Sequence, residues 1–339
     1  MNSSLDPVLG HLAVELLSRS SGDLALGAEA AIHRRLAGLF LYGLSTRGIS
    51  EAQLPLETAV RVRQAARREG ADAAVSAREI GLILDLLEAG GHRPALLKGR
   101  ILACELWPRS YHRPPGDLDL LLEQEAVGGA VEALTAAGYR KSTVREHEEI
   151  FEVFLLPPEG RITAVDLHWR LSDMVGSGID SRRLLRRTRT VPMEDRLVRT
   201  LDRADQLLFL LVHAAKHGLR RLKWVLDLYA LALRTDAQTW RLAALRALAS
   251  RSSRAFHLSA AFLAPLPGVV IDKELLNPVA PAWPVRQSLE RLVTLQKAVL
   301  EDPVTLWERY AFKILLEESL PVRVRGVGRL LRRMSLDRL

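Results

Sequence analysis

Two aspartates stand one residue apart in an otherwise apolar run, PPGDLDLLLEQ, at residues 114–124. In a β-strand, residues i and i+2 point the same way, so Asp117 and Asp119 are predicted to share one face while the leucines between them enter the core. Two partly buried carboxylates side by side repel each other unless a cation lies between them. A hard divalent ion, Mg²⁺ or alternatively Mn²⁺, prefers oxygen ligands and would remove this repulsion.

A third carboxylate occurs in AVDLHW, at residues 164–169. The alternation of this segment predicts that Asp166 and His168 share one face of another strand. If that strand lies beside the first, three carboxylates converge and could hold two metal ions about 4 Å apart, the arrangement used for in-line phosphoryl or nucleotidyl displacement. His168 could contact the acceptor or act as a general base, or it could be a hydrogen-bonded polar residue behind the site.

The segment LLKGR, at residues 96–100, could bind phosphates. Gly99 has no side chain to obstruct a triphosphate, and its amide can donate a hydrogen bond. Lys98 and Arg100 supply positive charge on either side of it. Arg113, four residues before Asp117, is a further candidate for phosphate binding.

The elements that must position these residues follow from the periodicity of the apolar residues. Helices are predicted in the N-terminal part of the chain and again from about residue 190 to the end. The region between them is predicted to contain both strands and helices. The fold class is therefore expected to be α+β, with a small mixed β-sheet core between helical segments. The predicted strands or extended segments are 94–98, 117–122, 151–156 and 161–171, and the predicted domains are 1–77, 78–190 and 191–339.

Taken together, these motifs resemble those of the uncharacterised nucleotidyltransferase family of the DNA polymerase β superfamily. The resemblance covers roughly residues 78–235. Its markers are the Lys-Gly after a strand, the Arg shortly before D-L-D-L-L, the Gly-Tyr after the next helix, and D-L-H-W. A later H-A-A-K-H-G helix followed by L-K-W-V-L-D completes the pattern.

The resemblance implies transfer of a nucleoside monophosphate from an NTP to a hydroxyl-type acceptor on a small molecule, peptide or protein, with Mg²⁺. It implies that Asp117 and Asp119 hold both metal ions and that Asp166 acts on the metal that activates the acceptor. Gly99 would face the triphosphate. Superfamily members often have Gly-Ser or Gly-Gly where this chain has Gly99-Arg100. Arg100 could therefore either bind phosphate or obstruct phosphate binding.

Two histidines of the later helix, His213 and His217, are four residues apart and therefore lie on one face. This is the spacing of a zinc pair, but Ala214 stands where a zinc protease would have glutamate, and no third ligand is evident. A structural polar cluster and a contact to substrate or phosphate, together with Lys216, are the other interpretations.

The composition and charge of the chain limit the classes of protein to which it can belong. The chain has 339 residues, one cysteine and a formal net charge of +8, so no intramolecular disulfide is expected. The longest apolar stretch, residues 207–215, is far shorter than the roughly 20 residues of a membrane helix. The N-terminus has no basic region before its apolar part, and we expect a cytoplasmic protein without a membrane span.

Positive charge is concentrated in two segments. SRRLLRRTRT lies at residues 181–190, and the last twenty residues contain six arginines and one aspartate, a net charge of 6 − 1 = +5. These segments could be solvated surface, or they could bind nucleic acid. An RNA-directed nucleotidyltransferase and a non-catalytic partner protein on the same fold are therefore the alternative functions.

Overall fold

The computed structural model divides into two compact units. The first contains Met1–Trp169 and Thr188–Thr200, and the second contains Arg170–Arg187 and Leu201–Leu339. The division into domains 1–77, 78–190 and 191–339 stays a prediction. The residues that the structure describes are 6–18, 23–142, 151–171, 178–282, 285, 287, 313–324 and 327.

The first unit begins with four helices, the last of them long. This last helix, α4, presents an apolar stripe that includes Ile80, Ile83 and Leu87, all buried at the helical spacing of three and four residues. The helices are α1 (Asp6–Leu17), α2 (Leu24–His33), α3 (Ala37–Thr46) and α4 (Leu56–Ala89).

Over the described residues, the rest of the first unit contains a mixed sheet of seven strands. Its strands are β1 (Ala95–Leu96), β2 (Leu118–Leu121), β3 (Arg140–Lys141), β4 (Glu152–Leu156), β5 (Val165–His168), β6 (Arg189–Met193) and β7 (Arg196–Thr200). Helices α5 (Arg100–Leu106) and α6 (Gln124–Ala136) lie between strands in the chain. The order is β3-β4-β5-β2-β1-β7-β6, with β2–β5 and β1–β7 parallel and the other pairs antiparallel. The predicted α+β class is confirmed.

The two central strands β2 and β5 are buried along their whole length. Both faces of the sheet are therefore covered at this point, as is usual for parallel strands. The leucines Leu118, Leu120 and Leu167 have at most 1% of their surface exposed. Any charged side chain on the opposite face of these strands must consequently find partners within the protein.

The hairpin β6–β7 differs from the helical pattern expected from about residue 190. Val191 and Val198 pair and are buried, while Leu197 is exposed, so the alternation is that of a strand. The prediction failed because each strand has five residues, which is too short for period 2 to stand out among arginines. The Thr200 hydroxyl also donates to the Leu96 carbonyl oxygen at 2.8 Å, which joins β7 to β1.

The second unit is helical. Asp202 caps α8 by accepting from the amide of Asp205 at 2.8 Å, and Asp236 caps α10 through the amide of Thr239 at 2.7 Å. Among the described residues, no helix combines the length and apolar character that crossing a bilayer requires. The helices are α7 (Ser181–Arg186), α8 (Arg203–Lys216), α9 (Leu222–Ala232), α10 (Ala237–Ala249), α11 (Ser253–Leu263) and α12 (Lys273–Leu276).

A buried carboxylate of α4 holds the segment that leads into β5. Glu79 accepts from the amide of Thr163 at 2.8 Å and from that of Ile162 at 3.1 Å. The Thr163 hydroxyl also bonds to the Ser76 hydroxyl at 3.1 Å. Because a carboxylate that accepts backbone N–H groups fixes the path of the chain, Glu79 sets where β5 begins.

Replacing this carboxylate should destabilise the first unit. In Glu79→Ala, the buried amide of Thr163 and the partly buried amide of Ile162 lose their acceptor, and we expect the free energy of unfolding to fall by about 2–4 kcal/mol. Asp85→Ala on the same helix is the control, because Asp85 is 60% exposed and pairs with Arg196 at the surface. Its expected change is within about 0.5 kcal/mol. Equal losses in urea unfolding of the two variants would contradict this assignment.

The turn between β1 and α5 depends on glycine. Gly99 has φ 77° and ψ −123°, a backbone conformation that residues with a Cβ rarely adopt. A Cβ there would meet the Asp117 carbonyl oxygen at 3.5 Å, which is an ordinary contact. The requirement for glycine therefore comes from the backbone angles and not from lack of space.

Gly99→Ala should lower the free energy of unfolding by about 1–3 kcal/mol because the turn must hold a strained φ. Gly128→Ala is the matched control, since Gly128 lies within α6 and a Cβ there meets nothing within 4 Å. Alanine is the better helix former, so this variant should gain roughly 0.5–1 kcal/mol. A Gly99→Ala protein as stable as the wild type, measured by urea unfolding, would show that the turn relaxes.

Candidate active site

Two of the three predicted carboxylates lie directly opposite each other. Asp119 on β2 and Asp166 on β5 are partners in the register of this parallel pair, and each residue is 3% exposed. Asp117 lies one residue before β2, and its side chain is 38% exposed. The structure thus brings two buried carboxylates together and leaves the third at their solvent side.

Two nitrogen-bearing side chains complete this group. The Lys98 ammonium contacts Oδ2 of Asp119 and lies 3.7 Å from Oδ1 of Asp117. On the other side, Nε2 of His168 lies 3.3 Å from Oδ1 of Asp119 and 3.7 Å from Oδ2 of Asp166. Both oxygens of Asp119 are therefore engaged by a positive or potentially positive group.

A further carboxylate orients the histidine. Glu152 begins β4 and is the cross-strand partner of His168, with Oε2 at 3.3 Å from Nδ1 of the imidazole. A carboxylate thus lies at each nitrogen of the ring, Glu152 beside Nδ1 and Asp119 beside Nε2. This arrangement fixes the ring plane, as carboxylates behind functional histidines commonly do.

Burial and charge act in opposite directions on these groups. Burial raises the pKa of Asp119, but the Lys98 ammonium and the hydrogen bond from His168 outweigh burial and hold it well below its usual range. Burial lowers the pKa of Lys98, but the negative charges of Asp119 and Asp117 have a larger effect in the opposite direction. The pKa of Lys98 is therefore raised above its usual value. Burial also lowers the pKa of His168, while bonds to Asp119 and Glu152 and the charge of Asp166 raise it to about 9. Without a metal, the buried group is a set of ion pairs.

The same group has the donors of a divalent metal site. One ligand atom each from Asp119, Asp166 and His168 lie within 4.8 Å of one another. Over the ranges that the structure describes, no other set of three His, Cys, Asp or Glu residues has this geometry. The carboxylate oxygens of Asp119 and Asp166 suit Mg²⁺ and Mn²⁺, whereas the imidazole nitrogen of His168 is a ligand that Mg²⁺ rarely takes. His168 replaces Asp117 in this set, which the sequence did not indicate.

The predicted phosphate-binding residues lie in two environments. Gly99 follows Lys98 directly, and Arg113 is 4% exposed and close enough for its charge to act against the positive charge of Lys98. Arg100 is held elsewhere, because its guanidinium donates to the Ser110 hydroxyl at 3.1 Å and to the Glu194 carboxylate in the β6–β7 turn. Arg100 therefore fastens the hairpin to α5.

His213, Lys216 and His217 lie in the second unit, at the end of α8. The ring centroids of His213 and His217 are 4.8 Å apart, and both rings contact Trp224, His213 edge-on at 4.7 Å and His217 tilted at 4.9 Å. The Lys216 ammonium donates to the Leu171 carbonyl oxygen at 3.5 Å. This geometry is that of a polar aromatic cluster, and a zinc pair finds no third ligand among the described residues.

The basic segment 181–190 is partly used within the fold. Arg187 pairs with Asp205 at 2.8 Å, and Arg189 makes two bonds to the Glu105 carboxylate at 2.6 and 2.7 Å. Both arginines thus form ion pairs that stabilise the fold. The Arg-rich end of the chain lies largely outside the described residues, so nucleic-acid binding there stays a prediction.

Sequence reasoning missed Glu152 and Glu79, which support the group from behind. The role of Glu79 was weakly indicated by the sequence, because this glutamate lies beside the apolar stripe of α4, where a solvent-exposed glutamate is not expected. Glu152 carried none, since a charged first residue is common in strands. Its role depends on the pairing of β4 with β5.

The charge of His168 predicts a pH dependence in the presence of a chelator. Because the pKa is about 9 in the folded chain and about 6.5 ordinarily, the stabilisation is complete below about pH 6.5 and is lost as the pH rises to about 9. Urea unfolding should show this fall in wild type but not in His168→Asn. His112→Asn is the control and should keep the fall, since burial lowers the pKa of His112 to about 4. An unchanged fall in His168→Asn would contradict the prediction.

Comparison with known proteins agrees with this geometry. The model of a family described as an uncharacterised nucleotidyltransferase matches residues 21–266 of this chain. No curated protein matches the sequence. The matched region includes every site residue discussed above and extends over more than half of the chain. The chain therefore belongs to the uncharacterised nucleotidyltransferase family.

Proposed function

We propose that this protein is a Mg²⁺-dependent nucleotidyltransferase that moves a nucleoside monophosphate from an NTP to a hydroxyl-type acceptor on a small molecule, peptide or protein. The observation that carries the proposal is the register of Asp119 and Asp166 on parallel strands, in a chain of this family. Two buried carboxylates placed side by side are unfavourable for folding alone. Their placement is readily explained by a cation that binds them during the reaction.

Asp119 and Asp166 would hold the ion, and Asp117 would reach it from the exposed side. When bound, a divalent ion neutralises charge on the phosphates and favours the deprotonated form of an attacking hydroxyl. Mn²⁺ is expected to substitute for Mg²⁺, because both accept carboxylate ligands. The strand order places β2 between β5 and β1, so Asp166 is assigned to the acceptor side, away from the turn after β1.

The triphosphate would approach the turn after β1. Gly99 has no side chain to obstruct a phosphate there, and Lys98 and Arg113 provide positive charge beside it. Arg100 acts on this turn by holding Ser110 and the hairpin residue Glu194. A direct bond from Arg100 to phosphate stays a prediction.

His168 would contact the acceptor or hold the ion, since its Nε2 faces both buried carboxylates. Glu152 keeps the ring in this orientation. His213, Lys216 and His217 remain candidates for acceptor or phosphate contact. Proteins and small molecules with free hydroxyls are the acceptor classes to test first.

The proposal predicts that Asp119→Asn lowers nucleotidyl transfer by at least about a hundredfold, because a neutral amide holds a divalent ion poorly. The measurement is transfer of label from each α-³²P-labelled NTP, with Mg²⁺, to fractionated cell extract. Asp85→Asn is the matched control, since Asp85 is 60% exposed on α4 and should leave transfer unchanged.

Full transfer by Asp119→Asn would remove this carboxylate from the mechanism. A second readout does not need the acceptor: binding of a non-hydrolysable NTP should require Mg²⁺ and should weaken in Asp119→Asn. A folded wild-type protein that neither transfers label nor binds any NTP would favour the alternative, a non-catalytic partner protein on the same fold.

A further inference from the structure

The Lys98 ammonium lies at the position where a cation is most needed. It contacts Oδ2 of Asp119 and is 3.7 Å from Oδ1 of Asp117, and its side chain is only 11% exposed. An ammonium at this position does what a metal ion would do for the carboxylates, because it offsets their mutual repulsion. Lys98 and an incoming ion would therefore use the same oxygens.

The other oxygen of Asp119 is also engaged. Nε2 of His168 lies 3.3 Å from Oδ1, and this ring in turn lies near Asp166 and Glu152. In the absence of metal, the Lys98 ammonium thus offsets part of the negative charge of the buried carboxylates. An ion that binds here meets a neutralised group and must displace or repel a positive side chain.

Lys98 is suited to leave this position. Lysine is a compact charge on a flexible four-carbon stem, and this one is followed by Gly99, where the chain turns into α5. A triphosphate arriving at the same turn would offer the ammonium stronger anionic partners than one carboxylate. Arg113 would assist, because its positive charge already opposes that of Lys98.

We propose that Lys98 is a built-in counter-ion, which stabilises the carboxylates in the metal-free protein and lowers their affinity for a free divalent ion. This inference rests on the proposed function in placing the ion at Asp119 and Asp166. It follows that the ion and the triphosphate bind cooperatively. The phosphates attract Lys98 away from the carboxylates, and the ion then binds the carboxylate oxygens that Lys98 has left. The metal-free protein is thereby kept from binding adventitious ions.

The test compares Mn²⁺ binding, in the absence of nucleotide, between wild type and Lys98→Met by electron paramagnetic resonance. Methionine keeps the length of the side chain and removes the charge. We expect Lys98→Met to bind Mn²⁺ roughly tenfold more tightly than wild type. Lys98→Arg keeps the charge and should bind as weakly as wild type.

The control variant is Lys141→Met, because Lys141 is exposed on β3 in the same unit. It should leave Mn²⁺ affinity unchanged, which separates direct competition from a general change in net charge. Lys98→Met binding Mn²⁺ no more tightly than wild type would overturn the proposal. So would an equal gain in Lys141→Met.

Thermal unfolding provides a measurement that remains informative if Lys98→Met is unstable. In a chelator, Lys98→Met should unfold several degrees below wild type, because Asp119 has lost the closer of its two partners. Mn²⁺ should restore most of this loss while changing wild type little. A variant that is equally stable with and without Mn²⁺ would contradict the role of Lys98 as a counter-ion. Neither measurement involves transfer, so a wild type that fails to transfer label counts against the proposed function alone.

Discussion

The repulsion between two buried carboxylates on neighbouring strands is the constraint around which the first unit is organised. Asp119 and Asp166 are partners in the β2–β5 register, and both are almost fully buried. Such a pair cannot remain ionised without nearby positive charge. Lys98 and His168 supply that charge from two directions, and Glu152 holds the imidazole in place. The polar residues of the central sheet therefore form one connected group, in which removal of Lys98 leaves Asp119 without its closest positive charge.

Elements away from this group set its geometry. Glu79 fixes the segment before β5 through two backbone amides, so a helix outside the sheet sets the position of the strand that carries Asp166. Gly99 allows the sharp turn that places Lys98 at the end of β1 beside β2. The hairpin β6–β7 closes the other side of β1, and Arg100 fastens its turn through Glu194. A site that requires atoms within a few tenths of an ångström needs this kind of support.

Arg100 illustrates how the same residue type serves different purposes. In the sequence it stands beside Gly99 in a strand–helix turn, and positive charge there suggests phosphate binding. In the fold its guanidinium is directed to Ser110 and to Glu194, and its side chain is 10% exposed. The planar fork of arginine suits such multiple bonds, whereas the single flexible ammonium of Lys98 suits a position that must be vacated. The difference between neighbours thus follows from their chemistry as well as their place.

Much of this arrangement was determined by local sequence. The alternation around Asp117, Asp119 and Asp166 identified two of the strands and the faces of their carboxylates, because side-chain direction in a strand depends only on position along it. The motif order identified the family, and the helical periodicity identified α4 and the helices of the second unit. The β6–β7 hairpin was missed, because short strands become stable through pairing with partners distant in the chain.

Only the tertiary structure decided which charges meet. The pairing of β4 with β5 brings Glu152 to His168, and the pairing of β1 with β2 brings Lys98 to Asp119. These contacts join residues 16 and 21 positions apart in sequence, and no local preference encodes them. Electrostatic interactions depend on distance in space and on burial, which arise when the sheet assembles. The sequence by itself determined the types of the reactive groups, and the assembled sheet decided that a lysine balances the carboxylates.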